Sequence, residues 1–195
     1  MPPNHLPELE KKMSELRDSI AEYADKFPRI FSNVNPYLKE KRFSGNYLEY
    51  IIFGTALIES ILYRFFDVLA HSHSYDSFVK EIESTGTVSD SADVKMVSRK
   101  DEDPFGALVR KLVNDFNIDQ TYPNLYKKLT TLKIKRNAIA HDFIDEYEGD
   151  FDKANNDFKS YADGQPIELL INEIAKISDD IRNKQDSFFK EKFKK

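Results

Sequence analysis

Arg136, Asn137 and His141 are the side chains in this sequence best suited to chemistry, and they fall within one run, Arg136-Asn137-Ala138-Ile139-Ala140-His141. An imidazole with an unperturbed pKa of about 6.5 can take a proton from a ribose 2′-hydroxyl, or give one to a leaving 5′-oxygen, near neutrality. A guanidinium can stabilise the charge of a phosphorane-like transition state through paired hydrogen bonds. Together they are the parts needed to cut RNA without a metal. Asn137 and His141 are four apart and share one helical face, so the amide can orient the imidazole. His141 follows Arg136 by five residues, a rise of roughly 7.5 Å at about 1.5 Å per residue, and an ideal helix puts the two on different sides. A long Arg side chain and a helix that loosens at Asp142 would bring both heads to one phosphate.

Arg136 is the more telling of the pair. It interrupts an apolar stripe that runs Leu125, Leu129, Leu132, then Ile139 and Phe143. A guanidinium keeps its proton, so in such a place it needs an acidic partner or an opening to solvent. Glu59 is the candidate partner: Ile52, Glu59 and Phe66 are seven apart and share a heptad position, which puts the carboxylate among apolar neighbours. Pairing it with Arg136 would satisfy both charges. The bland alternative is a buried ion pair beside a helix-end histidine favoured by the helix dipole.

Lys127, Lys128, Lys133 and Lys135 lie along the same predicted helix. Such a row is ordinarily a solvated face, but Lys133 and Lys135 flank the motif and are the candidates for steering an RNA backbone. His71-Ser72-His73 has no carboxylate cluster nearby and reads as a solvated helix end, not a metal pair. Asp145, Glu146, Glu148, Asp150 and Asp152 read as a solvated acidic loop. No metal set and no cofactor motif is expected.

The elements that must position these residues are all helical. Leu6 to Phe27 reads as a first helix closed by Pro28, and 28–45 as a connector with at most a turn of helix around Tyr37-Leu38-Lys39. Ser44 or Asn46 can cap a second helix that runs to about Ala70 and is apolar on most of its circumference, as befits the centre of a bundle. Ser74 is expected to cap a short helix to Glu83, and 84–103 to be a mobile loop with Val94-Met96-Val97 as an ordered piece. Pro104 opens a helix through Phe116, a break follows at Asn117-Ile118-Asp119, and the motif helix starts at Tyr122-Pro123. Residues 145–165 read as loop, although Phe151, Ala154 and Phe158 keep helical spacing. Pro166 to Phe189 is the last helix, with Leu169, Leu170, Ile174, Ile177 and Ile181 inward. Phe188, Phe189 and Phe193 are expected on the bundle or on a dimer surface. The fold class is all-α, a bundle of five to seven helices.

Bulk composition narrows the rest. The 195 residues include fifteen Phe and ten Tyr, enough to build a core despite 32% charged residues. A net charge of -5 argues against tight phosphate-driven binding and limits any RNA contact to a local basic site. Absence of cysteine excludes disulfides and thiolate chemistry. No signal segment or membrane span is expected, since Glu49, Glu59, Arg64 and Asp67 interrupt the most apolar run; the expected location is the cytoplasm.

The hexapeptide resembles the signature of the HEPN superfamily: an Arg, a polar residue, then a His four to six residues after the Arg. The early helix, especially Ala56-Leu57-Ile58-Glu59-Ser60-Ile61-Leu62, resembles that family's long early helix, and the likeness covers roughly residues 44–185. The resemblance implies a helical bundle and metal-independent endoribonuclease activity in a toxin, phage-defence or RNA-processing setting. It also implies a homodimer whose two motifs share one cleft, with Arg136, Asn137 and His141 catalytic and Glu59 facing them. An antitoxin or defence partner fits that setting. Members that bind RNA or nucleotide without cutting leave a non-catalytic helical RNA-binding or protein-interaction module in a defence or toxin-antitoxin system as the alternative. Ile139 and Ala140 provide no tyrosine of the kind some members carry between Arg and His as a modification target. The expected organisation is an N-terminal helix and connector over 1–43, the HEPN-like domain over 44–189 and a basic tail over 190–195.

Overall fold

The computed structural model of the chain describes residues 6–85 and 105–193, and these are all-helical. In order the helices are α1 (Leu6–Ala24), α2 (Lys26–Phe43), α3 (Tyr47–Thr85), α4 (Phe105–Phe116), α5 (Ile118–Thr121), α6 (Pro123–Ala140), α7 (Phe143–Tyr147), α8 (Phe151–Gly164) and α9 (Ile167–Phe193). The loop expected over 84–103 and its Val94-Met96-Val97 piece lie almost wholly outside the described residues, as does Pro104.

The connector expected over 28–45 is instead helix α2. Pro28 stands in its first turn, where a proline's missing N–H is not needed. Pro36 does lie inside the helix, on its exposed side, and tertiary contacts outweigh its cost. Leu38 is buried, Tyr37 donates to Glu49 Oε1 at 2.7 Å, Lys41 pairs with the same oxygen at 3.0 Å, and the Tyr37 ring meets Phe53 at 4.5 Å. The helix ends in a Schellman motif. Gly45 takes φ +77° and donates to the Arg42 carbonyl at 3.3 Å, while Asn46 donates to that of Lys41 at 3.0 Å.

Asn46, one of the two expected caps, opens α3. Its Oδ1 accepts from the Glu49 amide at 3.3 Å and its side-chain N–H donates to Glu49 Oε2 at 2.6 Å, a reciprocal capping pair. The helix does not break at Ala70 but continues to Thr85, 39 residues in all. Ser74, expected to cap a new helix, donates instead to the Ala70 carbonyl at 3.0 Å within the same helix. No glycine or proline falls between 70 and 85, so nothing obliges the helix to stop.

By contact the chain forms two compact units. Unit 1 comprises Met1–Lys26, Arg64–Arg99 and Lys176–Lys195; unit 2 comprises Phe27–Tyr63 and Lys100–Ala175. In unit 1, Met13, Tyr75, Phe78 and Phe189 form a buried cluster with Leu16, Val79 and Phe188 against it, so Phe188 and Phe189 pack inward. The Phe193 side chain lies outside the described residues. Here α9 is still helical through the Lys-rich stretch expected as a tail, up to Phe193.

Unit 2 contains every residue of the candidate site. In it α4 packs on α6, α6 meets α7, and α7 meets α8. Asn117, in the left-handed region at φ 52°, makes the break between α4 and α5, a conformation that asparagine tolerates. Pro123 sits in the first turn of α6. Most of 145–165, expected as loop, is helical: it holds the end of α7 and all of α8, with a break at 148–150. Asp150 caps α8 by accepting from the amides of Asp152 and Lys153 at 2.9 and 3.0 Å, and Ala154, Phe158, Tyr161 and Ala162 are buried. The inner face of α9 in this unit is Ile167, Leu170, Ile171 and Ile174. Leu169, expected inward, is 57% exposed. At Gly54 a Cβ would overlap Ile167 Cδ1, so α3 and α9 approach as closely as a side chain of hydrogen alone allows.

Candidate functional site

The stripe of α6 stays buried through Leu125, Leu129 and Leu132 and then opens: Arg136 and Asn137 are half-buried and His141 is exposed. The helix ends at Ala140, and His141, with φ -128° and ψ -38°, is the first residue off it. Both the His141 and Asp142 amides turn back to the Asn137 carbonyl, at 2.9 and 3.3 Å. That departure from helical geometry overcomes the separation an ideal helix would impose. Arg136 Nη1 lies 3.3 Å from His141 Nε2.

The guanidinium has only donors, so Nε2 accepts in this contact and the ring proton of the neutral imidazole belongs on Nδ1. Arg136 Nη1 also reaches Asn137 Oδ1, at 3.4 Å. The amide therefore touches the arginine, where the sequence suggested that it would hold the imidazole directly. Arg136 stands between the other two.

Glu59 of α3 is half-buried, between an exposed Ile52 and a buried Phe66 at the same heptad position. Burial raises its carboxyl above the usual range, and attraction to Arg136 pulls the other way. The two charges sense each other, but no carboxylate among the described residues lies within 4.0 Å of the guanidinium. The direct ion pair expected between Glu59 and Arg136 is thus not made, and Arg136 faces His141 instead.

The lysines of α6 separate into two kinds. Lys135 is bound by both oxygens of Asp157, at 2.8 and 2.6 Å, and Asp157 also accepts from Tyr147 at 2.7 Å. Burial opposes ionisation of Asp157, but the bonds from Lys135 and Tyr147 outweigh it and hold the carboxyl below its ordinary value. Lys135 is thereby a strut joining α6, α7 and α8. Lys128 is likewise paired, with Glu173. Lys133 has no ion pair among the described residues and lines a cleft between α4 and α6.

His71 is not the solvated helix end expected from the sequence. It lies in the middle of α3, is 8% exposed, and stacks on Tyr23 with ring centroids 5.6 Å apart. Burial lowers its pKa while Asp67 opposes the shift. Among the described residues no three His, Cys, Asp or Glu side chains gather to hold a metal ion, and no helix is long and apolar enough to cross a membrane. Comparison of the chain with protein-family models, with curated proteins and with solved structures gives no match.

Proposed function

We propose that the chain is a metal-independent endoribonuclease of HEPN type, acting in a toxin, phage-defence or RNA-processing setting. The observation that carries this reading is the approach of Arg136 Nη1 to His141 Nε2, at 3.3 Å, at a solvent-accessible helix end. A phosphodiester entering there offers the guanidinium a better acceptor than a neutral imidazole. As Arg136 turns to the phosphate, the Nε2 lone pair is released to take the 2′-hydroxyl proton. O2′ then attacks phosphorus, the P–O5′ bond breaks, and the products are a 2′,3′-cyclic phosphate and a 5′-hydroxyl after protonation of the leaving oxygen. Asn137 keeps Arg136 oriented through its Oδ1. Glu59 contributes by field, drawing the guanidinium without pairing with it.

In this reading two chains form a homodimer, and the second motif supplies the proton for the leaving group. Large apolar side chains left exposed in unit 2, among them Ile134, Ile144 and Phe151, support an interface there. The same exposure favours, as a second reading, a helical module that binds RNA or a partner protein such as an antitoxin without turnover.

Substitution separates the two. His141 is exposed, so His141→Ala has little to disturb in the fold. Loss of at least about 100-fold in RNA cleavage with an unchanged melting curve is the expected outcome. Equal cleavage by His141→Ala and wild type would sink the enzyme reading.

A further inference from the structure

A second feature of unit 2 stands apart from the Arg136–His141 pair. It is a cleft of about 130 Å³ walled by Gly106, Arg110 and Asn114 of α4 and by Tyr126, Thr130 and Lys133 of α6. Val109 and Val113 line it as well, and among the described residues no acidic one does.

The distribution of charge makes this notable in a chain of net charge -5. On the same two helices, Lys111 is paired with Asp115 at 3.2 Å, Lys135 with Asp157 at 2.6 Å, and Lys128 with Glu173. Arg110 and Lys133 have no ion pair among the described residues, and both line the cleft. Of the other cations of α6 without an ion pair among the described residues, Arg136 belongs to the motif and Lys127 lies outside the lining. Arg110 and Lys133 thus make the cleft a local cationic site, which is what weak, transient phosphate binding by an acidic protein requires.

Lys133 is also placed. A Cβ at Gly106 would stand 3.1 Å from its Cε and 3.8 Å from its Nζ, so the lysine stem lies across the bare glycine with its ammonium beside α4. Tyr126 adds an aromatic ring, on which any base can stack. Asn114 and Thr130 add amide and hydroxyl groups that can bond sugar or base edges. Tyr126, Thr130, Lys133 and Asn137 follow at four, three and four residues, hence on one face of α6. Asn137 lies one turn beyond Lys133, about 6 Å along the axis. A strand lying in the cleft is therefore led toward the motif.

We propose that this cleft binds single-stranded RNA a few nucleotides from the scissile phosphate, with Arg110 and Lys133 on a phosphate and Tyr126 against a base. The direction of the strand rests on the ribonuclease reading of Arg136 and His141; the binding itself does not.

The test uses the full chain and a labelled 2′-O-methyl oligouridylate, which cannot undergo 2′-hydroxyl attack, so that binding is measured without cutting. Lys133→Glu and Arg110→Glu are each expected to weaken binding about tenfold and to lower the salt slope by about one. Lys127→Glu makes the same charge change at an exposed position outside the cleft lining and is expected to cost less than about threefold. Lys133→Gln, which keeps a polar side chain, covers the case in which reversal disturbs the fold, and is expected to lower the salt slope likewise. Unchanged binding by Lys133→Gln and Arg110→Glu, or an equal loss in Lys127→Glu, overturns the cleft. Cleavage of a dinucleotide, too short to reach it, distinguishes the two proposals. If Lys133→Glu cuts the dinucleotide at the wild-type rate but binds the oligomer weakly, the cleft is supported. If wild type cuts nothing yet Lys133→Glu loses affinity, the cleft stands and the nuclease reading falls.

Discussion

Glu59 and His71 are two residues at which pH should register in stability, and their signs are opposite to that of a carboxylate held ionised by its partners, such as Asp157. The folded-state pKa of Glu59 is raised, chiefly by burial, so as pH climbs from about 4 the unfolded chain ionises first and the fold loses stability relative to it. Glu59→Gln is therefore expected to melt at a higher temperature than wild type at pH 7 to 8, with the gap closing near pH 4; a gap that widens on acidification would contradict the buried-carboxylate account. The His71 pKa is lowered, again by burial, so the ring is carried neutral and the unfolded chain takes up the proton first as pH falls below about 6.5. His71→Phe is expected to flatten the loss of stability between pH 7 and 5, followed by thermal melts across that range. Of these residues, the sequence marked Glu59 through its heptad position and Arg136 through its break in a leucine stripe. It misread His71 because a helix end was placed at Ala70, and exposure follows from where a helix ends.

At the scale of elements, the attachment of α9 to α3 in unit 2 turns on Tyr50. Its buried hydroxyl donates to Glu168 Oε2 at 2.6 Å and accepts from the Ile167 amide at 2.8 Å, which places a carboxylate in the first turn of α9. That position suits the helix dipole. Tyr50→Phe leaves both groups buried without this partner, and a loss of about 2–3 kcal/mol in urea unfolding is expected. A change below about 0.5 kcal/mol would mean that the bond is not a major tie. Periodicity alone located α1, the first half of α3, α4, α6 and most of α9, because their apolar positions recur with a helical period. It missed α2 and α8 for a shared reason. Their prolines, glycines and acidic residues resemble loop punctuation, and only contacts such as Tyr37 with Glu49, or the cap from Asp150, reveal the helix. Gly45, read as part of a connector, in fact completes a helix terminus.

For the whole molecule, the homodimer reading has a direct measurement. Sedimentation equilibrium is expected to give about twice the 22.7 kDa of one chain. Ile134 is 57% exposed and two residues from Arg136, so Ile134→Glu is expected to shift the mass to that of a monomer and to lower cleavage together. Full cleavage by a monomeric variant would detach activity from assembly. The contact between Arg136 and His141 bears on how such a molecule rests between turnovers. In the proposed ribonuclease, the contact between guanidinium and imidazole at 3.3 Å is a latch that a phosphate bound by Arg136 has to prise open. Nitrogen-15 spectra of the free protein should then show His141 in its Nδ1–H tautomer, the rarer one for a free histidine. Titration with a substrate analogue should keep the ring as Nδ1–H, since Nε2 has to stay unprotonated to act as base, while the Nε2 resonance moves as Arg136 leaves it, so that the ring reports occupancy of the site before any bond is cut.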